Sequence, residues 1–370
     1  MALTQHDRYF REDYELVRSE GVLAIRDGVH WHLCDVCGRY EFGSVAPRVR
    51  AARELGLTVI WDLFHYGYPE DLDPSDAAFA PRFGDYAYAF ARWLSQRVPG
   101  PRWYVPVNEP SFFAWAGGEV AWFAPCWRGR GWELKVRLLE AAIAGSRAIR
   151  AADPQARLVA VDPVIHVVAP ADAPELAEDA ARFSALQYQA WDMLVGRLAP
   201  EVGGSADLLD VVGVNYYPHN QWEHTRGGCL APDDPRRKPF RQILLEVYQR
   251  YRRPMIVSET AAAGAYRPAW LRYMVDECLA AIRLGVDLQG ICHYPVIDMP
   301  GWIGGFCSEF LNYGLWDLVP DPQDAQEGAC SPVLRRQPYA PVLMALREAQ
   351  QRVAAAGLGA GRARQPALVT

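Results

Sequence analysis

The chain has no apolar run of about 18 residues, the length a membrane-spanning helix needs, so no membrane contact is expected. Its first 20 residues include Arg8, Arg11, Glu12, Asp13 and Glu15. A secretory leader requires an apolar, uncharged stretch there, so none is expected, and the cytoplasm is the expected location. Basic patches are scarce. The net charge is −6, and basic residues cluster only at Arg236-Arg237-Lys238. Nucleic acid is therefore not an expected partner. Cysteine is sparse as well, with eight in 370 residues. Six are scattered too widely for a disulfide framework or a zinc site. The other two form a lone Cys34-Asp35-Val36-Cys37, with no second Cys pair and no His-x-x-x-His after it. They read as reduced loop thiols, and neither a metal nor an organic cofactor is expected.

Apolar residues are plentiful instead. They make up 51% of the chain, enough to bury a large core. No internal repeat and no dividing linker is visible. Residues 1–353 are expected to form one domain, and 354–370, rich in Ala, Gly and Arg, a disordered tail.

Short apolar runs alternate with amphipathic stretches, the pattern of a βα barrel. Strands are expected at Val22–Arg26, Leu57–Phe64, Trp103–Val107, Leu158–Asp162, Leu209–Asn215, Pro254–Ser258 and Leu288–His293. Helices are expected over 6–20, 46–54, 83–97, 133–151, 174–196, 239–251, 268–284 and 338–353. The fold class is then α/β, a (β/α)8 TIM barrel that lacks or replaces its first β-strand, because Met1–Gln5 is too short to supply one. An unpaired edge there would invite association, and a homo-oligomer through that edge is expected.

Two strands end in a glutamate. Val105-Pro106-Val107 runs into Asn108-Glu109-Pro110, and Met255-Ile256-Val257-Ser258 runs into Glu259. Two strand–helix units lie between them, which puts the glutamates on the fourth and seventh strands if one is missing at the start. A carboxylate at each of two strand tips is the minimal apparatus for cleaving a glycosidic bond. Each glutamate also has a plain structural reading. Glu109 could cap a strand–helix turn, and Glu259 could be a buried partner of Arg26.

Taken in order, these segments resemble family 1 glycoside hydrolases, the retaining β-glucosidase and β-galactosidase group. Asn108-Glu109-Pro110 is similar to the family's acid/base motif. The resemblance implies that Glu109 protonates the leaving oxygen and later deprotonates water, with Asn108 on the sugar 2-hydroxyl. Ser258-Glu259-Thr260-Ala261 departs from the family's Thr-Glu-Asn-Gly but keeps its nucleophile, Glu259. Ala24-Ile25-Arg26 resembles the segment whose arginine keeps that carboxylate ionised. Trp61-Asp62-Leu63-Phe64-His65-Tyr66 resembles the stretch whose histidine meets a sugar hydroxyl, here His65, with Tyr66 in place of the usual tryptophan. Gly213-Val214-Asn215-Tyr216-Tyr217 is close to Gly-Ile-Asn-Tyr-Tyr. It implies that Tyr217 bonds the nucleophile and that Asn215 sits near the acid/base.

The final strand departs most. Tyr294 replaces a platform tryptophan, Trp302 keeps a second, and Gly301 falls where the family has a sugar-gripping glutamate. The chemistry end of the site reads as complete and the recognition end as rebuilt. The resemblance implies a retaining glycoside hydrolase or transglycosidase acting on a β-linked glycoside, with an unusual sugar or a small-metabolite conjugate as partner. Two alternatives stay open: a non-glycosidic acid/base enzyme using the same glutamates, and an inactive glycosidase-like binding protein.

Overall fold

Seven apolar runs form parallel strands in the computed structural model, which describes residues 3–301, 310–326 and 332–358. They are β1 (Ala24–Gly28), β2 (Thr58–Phe64), β3 (Arg102–Val107), β4 (Ala156–Pro163), β5 (Val211–Asn215), β6 (Met255–Thr260) and β7 (Leu288–His293). Their order in the sheet is their order in the chain. Each expected strand is found, with its ends moved by a few residues.

Parallel neighbours need a long crossover, and helices fill each one. The α-helices of six or more residues are α1 (His6–Ser19), α2 (Ala46–Glu54), α3 (Phe79–Ser95), α4 (Gly131–Ala152), α5 (Ala177–Ala185), α6 (Gln189–Leu194), α7 (Phe240–Tyr251), α8 (Arg267–Arg283) and α9 (Ala340–Ala355) among the described residues. The helix expected over 174–196 is broken into α5 and α6. Between them Gln187 turns inward, bonding the Ser184 carbonyl at 2.7 Å and the Ile165 amide at 3.2 Å, and the backbone tightens into a 3-10 turn.

The burial pattern explains the curvature. Every residue of β5 and β6 is buried, as expected for strands covered on both faces. An inner cluster takes residues from all seven strands, among them Ala24, Ile60, Val105, Val159, Ile256 and Cys292. A larger outer cluster joins the strands to the helices. A sheet with an apolar core inside and another outside is a barrel wall. Among the described residues the ring is nearly closed and lacks one strand of a (β/α)8 barrel, between β7 and β1.

Side chains span that opening. The strands β8 (Trp316–Pro320) and β9 (Leu334–Pro338) form an antiparallel hairpin outside the barrel, which sequence periodicity did not announce. Buried Arg336 of β9 bonds Asp13 of α1 at 2.7 Å and also reaches the Thr4 carbonyl. Gln5 grips the hairpin from the other side, through the Pro332 carbonyl and the Leu334 amide. Gln350 of α9 bonds the Glu20 carbonyl at 2.6 Å. The edge residues Ala24, Ile25, Ile291 and Cys292 are buried rather than laid open. No helix among the described residues is long and apolar enough to cross a membrane. The segment expected to be a disordered tail lies, from 359 on, outside the described residues.

Candidate active site

The site lies where the strands end. β3 delivers Asn108 and Glu109, whose amides bond the carbonyls of Phe64 and Val161 on the flanking strands. Glu109 then adopts φ 43°, ψ 59°, a left-handed backbone that costs a non-glycine residue about 1–3 kcal/mol. Pro110 starts a short helix directly afterwards, and its ring is tolerated at a first helical position. This turn points the Glu109 carboxyl back over the barrel mouth. β6 carries an irregularity in register between Val257 and Glu259, a bulge of the kind that re-aims a side chain.

Arg26 of β1 organises one half of the site. Its Nη1 donates to Glu259 Oε1 at 2.6 Å, and its Nη2 donates to Asp62 Oδ2 at 2.6 Å and to Asn108 Oδ1 at 2.5 Å. Tyr217 donates its hydroxyl to the other oxygen, Glu259 Oε2, at 2.9 Å. Asp62 also holds His65 Nδ1 at 2.8 Å, and His65 Nε2 lies 3.3 Å from the Asn108 amide. Burial works against charge on Arg26, but Asp62 and Glu259 outweigh it and its pKa is raised. Burial likewise opposes a charged His65, and the adjacent Asp62 overcomes it, so that pKa is also raised.

Among the described residues no cation bonds the other half. Glu109 takes the Asn215 amide at 2.8 Å on Oε1 and the Tyr66 hydroxyl on Oε2. Ser258 donates to Asn215 Oδ1 at 2.6 Å, which fixes which end of that amide faces Glu109. Burial first, and the charge of Glu259 second, push the Glu109 carboxyl up to about 7. The bonds from Tyr66 and Asn215 pull it partly back. One glutamate is thus clamped by an arginine while the other is poised to keep its proton near neutrality.

A cavity of about 280 Å³ opens beside Arg26, His65 and Glu259. Tyr294, just after β7, borders it, and burial followed by the charge of Glu259 raises its phenol pKa. Eight of the nine site residues expected from the sequence are therefore gathered at one end of the barrel. The ninth, Trp302, lies outside the described residues. Sequence reasoning gave no role to Asp62, Tyr66 or Ser258. Asp62 had a signal, a carboxylate inside an otherwise apolar strand, because such a group needs a partner when buried. Cys34 is buried with its thiol on the Val29 carbonyl, Cys37 is exposed, and both are free. Among the described residues no cluster of His, Cys, Asp and Glu is arranged to hold a metal.

No protein-family model matches the sequence, and no curated protein matches it. The fold, however, is that of known structures. A family 1 β-glucosidase from Thermotoga maritima superposes with a TM-score of 0.74 at 18% identity. The match covers 94% of this chain and 87% of that one. The same enzyme in complex with glucoimidazole gives 0.76 at 18% identity, with the same coverage. Its complex with deoxynojirimycin gives 0.73. At this identity the likeness establishes a shared fold.

Proposed function

We propose that the protein is a retaining glycoside hydrolase or transglycosidase acting on a β-linked glycoside by double displacement. The unlike settings of its two glutamates carry the reading. A retaining mechanism needs one carboxylate ready to attack and one carboxylic acid ready to give a proton. Arg26 and Tyr217 each donate to one oxygen of Glu259, the setting an attacking carboxylate needs. Glu109, among neutral partners and with its pKa near 7, can hold a proton at neutral pH.

In the first half-reaction, a Glu259 oxygen forms a bond to the anomeric carbon. The bond from that carbon to the leaving oxygen breaks, and Glu109 gives its proton to that oxygen. In the second, water or an acceptor hydroxyl attacks the anomeric carbon, Glu109 takes the proton, and Glu259 leaves. On this reading Asn108 bonds the sugar 2-hydroxyl and His65 a second hydroxyl. The glucosidase activity of the structural neighbours makes β-linked hexosides the first class to test.

The leaving group's side of the site is aromatic. Tyr66, bonded to Glu109, packs on Phe112 at 5.7 Å between ring centroids, and Phe112 packs on Trp115 at 5.8 Å. Trp115 meets Trp122 at 5.9 Å, and both are exposed. This ridge leads outward from the proton donor and suits a flat or apolar aglycone.

The test is intact mass after incubation with a panel of 2-deoxy-2-fluoro glycosyl fluorides. A stable adduct mapped to Glu259 and lost in Glu259→Gln is the expected result. A folded protein that forms no adduct across the panel overturns the reading.

A further inference from the structure

The cavity does not stop at the glutamates. From Arg26 and Glu259 it continues into the opening between β7 and β1. Ile25 and Cys292 of the two unpaired edges border it there, with Val296 and Ile297 from the segment after β7. Its back wall is α1, through His6, Asp13, Tyr14 and Val17, positions that share one helix face. Eleven helical steps (17 − 6) of about 1.5 Å make that wall roughly 16 Å long. The space is a slot, and one end of it is the candidate catalytic centre.

The charged groups along the slot are already matched. His6 Nδ1 lies 2.6 Å from Asp13, which also takes Arg336 at 2.7 Å. Asp27 takes Arg48 at 2.7 Å and the Tyr14 hydroxyl at 2.5 Å. Arg26 already directs both of its Nη atoms at Glu259, Asp62 and Asn108, with only Nε unpartnered. Burial, with Arg48 second, lowers His30 to about 3, and burial lowers His293 to about 4, so both rings are neutral. An ion entering the slot would lose its water and find no free counter-charge among these groups. An apolar group would meet Val17, Ile25, Val296 and Ile297.

We infer that the slot takes an uncharged, mainly apolar substituent, an ester- or ether-linked acyl or alkyl chain, carried by the sugar that Glu259 attacks. The inference rests on the glycoside hydrolase reading and names its substrate class. The sugar ring sits at the glutamates, and its substituent runs along α1 through the opening in the barrel wall. Each buried methylene is worth about fourfold in affinity, so a four-carbon chain has room to decide substrate choice.

The experiment compares aryl β-glycosides, unsubstituted or carrying a butyryl group at O3, O4 or O6, on the full chain. Each is also tested as its 2-deoxy-2-fluoro analogue for labelling of Glu259. At least one butyrylated glycoside is expected to exceed the parent by tenfold or more in kcat/KM. Val17→Phe, or Val296→Trp should the first variant melt early, is expected to bring that ratio down to about one. Labelling of Glu259 by the parent sugars, with no gain from any butyryl group, overturns the slot and leaves the glycosidase reading standing. A preference that survives both filled variants also overturns it. No turnover and no labelling with any member overturns both.

Discussion

Arg26 and Glu259 are 233 positions apart in the chain and 2.6 Å apart in the fold. The same guanidinium holds Asp62 and Asn108. Arg26→Met should therefore strand two buried carboxylates at once. The expected loss is about 3–5 kcal/mol, the usual effect of removing one partner of a buried pair. Denaturant unfolding followed by tryptophan fluorescence measures it. An effect under about 1 kcal/mol would mean that this network is not what secures the barrel mouth.

Glu109→Gln keeps the shape of the side chain and removes the proton donor. A fall in kcat of about 10²–10⁴ is expected on glycosides with poor leaving groups. Leaving groups of low pKa need little protonation, so a dinitrophenyl glycoside should show a much smaller fall in its first step. Pre-steady-state kinetics on both substrate types separates the two. Equal losses on both would remove the acid role from Glu109.

The raised pKa of Glu109 also fixes a pH limit. Activity that needs its proton should fall as the pH rises through about 7. The Tyr66 hydrogen bond lowers that pKa, so Tyr66→Phe should move the alkaline limb of kcat/KM to higher pH. The same group affects stability, and the sign follows from linkage. Glu109 binds its proton more tightly when folded than at its ordinary value of 4.5. Its contribution is full below 4.5 and is lost as the pH climbs to about 7. Wild type should lose stability relative to Glu109→Gln across that window, as thermal melts from pH 4 to 8 would record.

Arg336 lies outside the chemistry and carries a purely structural prediction. It is buried against Asp13 and caps the hairpin onto α1. Arg336→Met should destabilise the fold by about 3–5 kcal/mol while the Glu259 label still forms in the surviving folded fraction.

Much of the fold was legible because strand burial on both faces writes apolar runs, plainest in β2, β5 and β6 and interrupted in β1 by Arg26-Asp27 and in β7 by Gln289-Gly290. The hairpin of β8 and β9 was not legible. Its second strand reads Leu-Arg-Arg-Gln-Pro, and Arg336 is inside only because Asp13 receives it. Glu109 and Glu259 stood out because each ends an apolar strand. Tyr66 did not, because a tyrosine in a loop carries no period. Its role comes from the left-handed turn that brings Glu109 to its hydroxyl.

The bonds that tie Gln5 to Leu334 and Asp13 to Arg336 join residues 329 and 323 positions apart. Such contacts have the longest loops to close, and their entropy must be met before they contribute anything. The first helix of the barrel has early partners in Asp27, Glu54 and Leu55, but its contacts with the hairpin wait until the second hairpin strand has been made. At translation rates of about 5–20 residues per second, α1 waits roughly 15–70 seconds for its partner. During that interval Asp13 stays without Arg336, the charge it is buried with in the finished fold.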